Sequence, residues 1–169
     1  MRFMLEMSDL LHLSNYGLHN CVFYICAKKS PMKVTLKRID DAFHMEAKNE
    51  SGNTLETDGS PQIGGGNKAF RPMQTVLAAI GGCSSIDIIH LMRKQRQPLE
   101  DINVTVDGER EEGKVPSLFT KIHVHFELKG DLDEKKVERA CRLSMEEYCS
   151  VGLMLKKQAE IDWSYSIVR

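Results

Sequence analysis

Leu77-Ala-Ala-Ile-Gly-Gly-Cys83-Ser-Ser-Ile-Asp-Ile-Ile-His-Leu91 is an apolar stretch with a cysteine at its centre. With its flanks it predicts one long helix from Met73 to Lys94, opened by Pro72 and ended before Pro98. Val76, Leu77, Ala79, Ile80, Cys83, Ile86, Ile88, Ile89 and Met92 leave it apolar on almost every side, so a core helix is expected rather than a surface one. Arg93, Lys94 and Arg96 suit the negative end of its dipole. Gly81 and Gly82 in mid-helix cost roughly 1 kcal/mol each relative to alanine, which implies that another backbone or a ligand approaches closely there.

Strands flank this helix. Val34 and Leu36 alternate with lysine and threonine; Phe43, Met45 and Ala47 alternate with His44, Glu46 and Lys48; a short strand follows at 54–57. The tight turns between them predict an antiparallel meander. Asp58 to Lys68, with three successive glycines, is expected to be a flexible loop. Beyond the helix, Ile102, Val104 and Val106 mark one strand, and Ile122, Val124, Phe126 and Leu128 mark a second. Asp131 followed by Glu134 suggests a capped helix running to Tyr148, with a short helix after Cys149 and a last strand placing Ile161, Trp163, Tyr165 and Ile167 inward. Three strands, a long helix, two strands, two helices and a strand make an α+β chain.

Composition narrows the function. The 169 residues carry a formal net charge of −1 at pH 7, with no basic footprint for nucleic acid or anionic lipid. No uninterrupted apolar run approaches the ~20 residues that span a membrane. Residues 1–31 show no clear period, and Glu6 and Asp9 interrupt any signal-like core. They read as a leader or extension ahead of a domain spanning 32–169, with Met32 as a start-like residue. A cytoplasmic protein is expected. There a stable structural disulfide is disfavoured, and the odd count of five cysteines argues against a secreted framework. Cys83 and Cys149, each in a helical context, then suggest a redox pair that opens and closes. The plainer reading of either is a small buried residue, and Cys141 fits that description by its spacing from Val137 and Met145.

Two stretches, Arg71-Pro-Met-Gln-Thr-Val-Leu-Ala-Ala-Ile-Gly-Gly-Cys83-Ser-Ser-Ile-Asp and Glu147-Tyr-Cys149-Ser-Val, resemble the OsmC/Ohr superfamily of osmotically inducible and organic hydroperoxide-resistance proteins. The resemblance covers Met32 to Arg169 and is closer to the poorly characterised branch. It implies an OsmC-like fold of antiparallel strands around a long buried central helix, in an intertwined homodimer with active sites at the interface. It also implies that Cys83 is the peroxidatic cysteine and Cys149 the resolving one. The substrate would be a small organic hydroperoxide and the reductant an external dithiol, with no cofactor and no metal. The family's peroxidases pair an arginine with a glutamate to stabilise the thiolate. Here Met73 and Gln74 stand where that glutamate is expected, and the candidates to serve Cys83 are Arg38, Arg71 and Gln74. The alternative function is a non-catalytic dimer that binds a small apolar ligand at the subunit interface.

Two further groups draw a reading. His123, His125 and Glu127 share one strand face, which suits either a metal or plain solvation. Asp87 lies one helical turn beyond Cys83 on the same face. A carboxylate there opposes thiolate formation, and its expected role is to receive a hydrogen bond across the dimer or to cap a partner group.

Overall fold

The structure is a computed structural model and describes residues 32–169. The expected leader at 1–31 lies outside the described residues. The element order is β1 (Val34–Arg38), β2 (Met45–Asn49), β3 (Thr54–Thr57), α1 (Pro72–Lys94), β4 (Asp101–Arg110), β5 (Phe119–Lys129), α2 (Glu134–Leu143), α3 (Ser150–Leu155) and β6 (Glu160–Val168). The alternation and breaker signals thus placed the six strands and the long helix.

The strands form two three-stranded sheets, β1-β2-β3 and β4-β5-β6. In the second, β5 is antiparallel to β4 and parallel to β6, so the sheet is mixed and not purely antiparallel. The reason is the connection. The two helices between β5 and β6 form a crossover that carries the chain back to the same end, so β6 must run beside β5 in the same direction. Register puts Ile122, Val124, Phe126 and Leu128 beside Ile161, Trp163, Tyr165 and Ile167, which makes one face of this sheet apolar. That face packs with Ile80, Ile88 and Met92 of α1 and Val137, Ala140 and Cys141 of α2 into one core. Each fully buried large side chain in it contributes about 1.5–3 kcal/mol relative to exposure.

Helix α1 begins at Pro72, and Gln74 Oε1 accepts the Arg71 backbone N–H at 2.9 Å, satisfying a donor outside the first turn. Its buried stripe is Ile80, Ser84, Ile88 and Met92, one residue per turn. Within the single chain, the expected cover of this helix is present on one side only. Ile86 on the other side is 70% exposed, and Ala78, Ala79 and Gly82 are exposed with it. Within the chain, α1 is packed by β4, α2 and α3, all on one flank. The glycines divide accordingly. A Cβ on Gly81 would sit 3.1 Å from Val106 Cγ2 of β4, whereas nothing lies within 4 Å of one on Gly82. By length and composition α1 is also apolar enough to cross a membrane, although here it lies along the sheet.

The meander has little cover: Leu36 is 58% and Leu55 49% exposed. It joins the rest of the fold where Asp58 N donates to Phe70 O at 2.9 Å and Thr57 bridges Phe70. The loop that follows is more constrained than its glycines suggest. The buried Asp58 carboxylate accepts from the Gly59 and Lys68 backbone N–H groups at 2.7 and 2.9 Å, and Lys68 Nζ is 3.0 Å from Asp40. At the crossover, Asp133 and not Asp131 caps α2, its side chain accepting from Lys136 N at 3.1 Å. The expected single helix to Tyr148 widens after Leu143 into a π turn over Ser144–Tyr148.

Candidate thiol site

The π turn positions the site. It ends the α2 direction at Cys149, whose extended backbone (φ −64°, ψ 99°) makes it the N-cap of α3. Cys149 Sγ accepts the Gly152 N–H at 3.3 Å and lies 3.9 Å from Ile80 O, so the sulfur is held against the middle of α1. There α1 presents Cys83 and, four residues on, Asp87. The two sulfurs and an Asp87 carboxylate oxygen all lie within 4.8 Å of one another. All three described cysteines are free thiols, so the pair is close but unbonded.

The two thiols differ in access. Cys149 is fully buried and Cys83 half-buried. Burial pushes the Cys149 thiol up to about 11, with the neighbouring Cys83 thiol and Asp87 carboxylate adding to the rise against the Gly152 N–H. Burial also raises the Asp87 carboxyl, opposed by Ser144 and His90. Ser144, itself buried, places its Oγ 3.2 Å from Ser84 O and 3.4 Å from Asp87 Oδ2. The hydrogen bond expected for Asp87 from a second subunit is thus supplied within the chain. Ser84 and Ser85 turn their hydroxyls back onto Ile80 O and Gly81 O at 2.7 and 2.6 Å, so neither competes for the site. Ser144 is the contributor the sequence reading missed. A serine at the end of a helical stripe carries no signal until the π turn brings it opposite Asp87.

The arginine and glutamine candidates stand elsewhere. Along α1, at 1.5 Å rise per residue, Arg71 and Gln74 lie roughly 18 and 14 Å from Cys83. Arg71 Nη2 donates to Asn67 Oδ1 at 3.1 Å, and the Gln74 side chain serves the helix start. Arg38 ends the exposed strand β1. Arg71 and Gln74 line a different feature, a cavity of about 690 Å³ between the 58–74 segment and β4–β5, walled by Phe43, Met45, Ile63, Met73, Leu77 and Phe119. Cys141 is walled into the core, its thiol pushed up to about 12 by burial. Cys21 and Cys26 lie outside the described residues.

The histidine face does not gather as a metal centre. His123 lies 2.6 Å from Asp162 and 2.9 Å from Ser164, and His125 lies 2.8 Å from Ser164 and 3.1 Å from Ser166. Glu127 turns away to Asn103 at 3.2 Å. Among the described residues, Cys83, Asp87 and Cys149 are the group that meets at ligand distances.

Comparison with known proteins places the chain in a family. The family model for OsmC-like protein matches residues 65–164, which contain both thiols and all of α1. Protein YhfA of Escherichia coli (strain K12) is 45% identical over 119 residues, covering 70% of this chain and 85% of its own length. A crystal structure of a hypothetical protein from Aquifex aeolicus VF5 is 30% identical, with a TM-score of 0.69 over 83% of this chain and 99% of that one. An organic hydroperoxide resistance protein OsmC from Legionella pneumophila shares the fold at 18% identity, with a TM-score of 0.63 over 82% of this chain and 99% of its own. A family-model match across most of the described residues, together with relatives this similar in sequence, makes the chain a member of the OsmC-like family.

Proposed function

We propose that the protein reduces small organic hydroperoxides through Cys83 and Cys149. The observation that carries this is the pair of free sulfurs within 4.8 Å, one half-exposed and one sealed. Cys83, the accessible thiol, attacks the terminal peroxide oxygen as the thiolate. The O–O bond breaks, the alcohol leaves after taking a proton, and Cys83 is oxidised to sulfenic acid. Cys149 then attacks that sulfur, forming the disulfide and releasing water. An external dithiol reduces the disulfide by exchange and becomes oxidised itself.

The working unit in this reading is a homodimer. Ile86, Ala78, Ala79 and Gly82 leave an apolar flank of α1 uncovered beside a groove of about 480 Å³ floored by Gly81, Val104 and Val106. The meander strands likewise lack cover, and a three-stranded sheet needs a packed face to be stable. A second copy of α1 and of the meander supplies both. It would also be the means by which Arg71 or Gln74 of one chain serves Cys83 of the other.

The test is peroxide consumption. Cys83→Ser should abolish turnover with cumene or tert-butyl hydroperoxide. Cys149→Ser should allow one oxidation per site and leave a trapped sulfenic acid. If excess peroxide leaves both thiols free, the peroxidase reading fails. A second reading would then hold, a dimer that binds a small apolar ligand, favoured by the aromatic and aliphatic walls of the larger cavity. A ligand co-purifying without peroxide consumption would support it.

A further inference from the structure

Peroxide chemistry uses the two thiols and leaves Asp87 without a task. A carboxylate beside a nucleophilic thiol disfavours the thiolate, and among the described residues Asp87 forms no ion pair that would offset it. Yet it is built into the site: it stands one turn from Cys83 on α1, and Ser144 hydrogen-bonds it from the π turn. Two thiols and a carboxyl converging from two chain segments make a cation site as readily as a redox site.

We propose that Cys83, Cys149 and Asp87 together bind a thiophilic divalent cation of the zinc class when the protein is reduced. Two thiolates and a carboxylate are a donor set such ions take, with a fourth position left to water. A tetrahedral ion with ~2.3 Å bonds to sulfur and ~2.1 Å bonds to oxygen holds its donors about 3.6–3.8 Å apart. The donors here lie within 4.8 Å of one another, so side-chain rotation of about 1 Å closes the site. Cys83 and Asp87 are half-buried, which leaves the open position on the accessible side, while Cys149 closes the inner side. Ser144 takes the supporting role of orienting the ligating carboxylate. On binding, each thiol gives its proton to solvent, its sulfur donates a lone pair to the ion, and nothing is oxidised or reduced. A Cys83–Cys149 disulfide consumes both sulfur donors, so ion binding and oxidation exclude one another. A bound ion therefore holds the reduced pair away from peroxide.

The proposal stands on donor geometry and does not need the peroxidase reading; its test uses no peroxide turnover. Cadmium titrated into the reduced full chain should give a thiolate-to-cadmium charge-transfer band saturating at one ion per chain. The Cys21→Ser/Cys26→Ser double variant should bind equally well. Cys83→Ser, Cys149→Ser and Asp87→Asn should each lose more than the ~10–100-fold that removal of a mere supporting partner costs. As a check independent of variant folding, cadmium should protect Cys83 of the unmodified chain from alkylation until a chelator is added. The chain oxidised to the Cys83–Cys149 disulfide should give no saturating band. The proposal is overturned if the one-equivalent band survives in both single-cysteine variants or disappears with Cys21 and Cys26. Cys83 alkylating at the same rate with and without micromolar cadmium would also overturn it.

Discussion

Replacing Asp87 with asparagine should speed closure of the Cys83–Cys149 disulfide after a single oxidation. Cys149 attacks as its thiolate, and with its thiol near 11 only about one in 10⁴ is ionised at pH 7. The Asp87 carboxylate lies within 4.8 Å of both sulfurs. At that separation, an effective dielectric of about 20–80 gives a repulsion of roughly 0.9–3.5 kcal/mol against a new thiolate. Asp87 is partly exposed, and solvent screening sets the repulsion at roughly 1–2 kcal/mol; because a less basic thiolate is also a weaker nucleophile, about half of this reaches the rate, a ~2–5-fold acceleration. Asparagine keeps the shape and an acceptor for Ser144. The assay is rapid mixing of reduced protein with one equivalent of cumene hydroperoxide, acid quench, and counting of free thiols at successive times. In the unmodified chain, closure should rise about tenfold per pH unit from 7 toward 10, because the thiolate fraction does, and the variant should run ahead throughout. Unchanged closure in Asp87→Asn would mean that the carboxylate does not act on Cys149. Slower closure would reverse its role, making it the acceptor of the thiol proton.

Other consequences are open to direct measurement. Cys141 is neutral when folded up to about pH 12 but ionises near 9 when unfolded, so its contribution to stability is intact below 9 and is lost as pH rises toward 12. By about pH 10.5 the stability difference between the parent and Cys141→Ala should have shifted by ~2 kcal/mol in the variant's favour, read by denaturant melts. Ile88→Ala should cost ~2–5 kcal/mol in any state of assembly, because Ile88 is fully buried within the chain. Ile86→Asp should leave the chain folded but convert dimers to monomers in light scattering; an unchanged mass would refute the uncovered flank of α1 as the interface. Gln74→Glu keeps the acceptor for Arg71 N–H and adds a negative charge to the first turn, so α1 should gain ~0.3–1 kcal/mol. At ~14 Å from its own Cys83, any gain in turnover would mean that it acts across the dimer. A chain beginning at Met32 should match the full chain in melting temperature and in number of subunits, and a large loss of either would make residues 1–31 structural.

Local pattern carried most of the fold and less of the site. Alternation named the strands because each β5 and β6 side chain keeps a fixed face, and Pro72 and Pro98 bracket α1 without ambiguity. Apolar residues mark the faces of α1 that want cover without telling what provides it: Ile88 is buried within the chain and Ile86 is not. The parallel course of β6 follows from the crossover, yet alternation alone is indifferent to strand direction. Cys83 and Asp87 were legible as i, i+4 neighbours, whereas their meeting with Cys149 and Ser144 depends on one π turn that no residue type announces. The Asp58 carboxylate was hidden for a similar reason: its partners are backbone N–H groups, which have no sequence signature.

The two sulfurs sit close in space but far apart along the chain, and a bond between them would turn a linear polymer into a closed ring. That ring would enclose β4, β5 and α2. In the chain-entropy account, closing a loop of roughly 65 residues removes enough freedom from the unfolded state to stabilise the fold by ~4 kcal/mol. Linkage works in both directions, so the fold would favour the closed bond by the same amount, equivalent to ~90 mV toward harder reduction. In the proposed cycle, the spacing of the thiols along the chain would therefore set a demand on whatever reduces that bond: a strongly reducing dithiol, able to work against the architecture as well as the sulfur–sulfur bond.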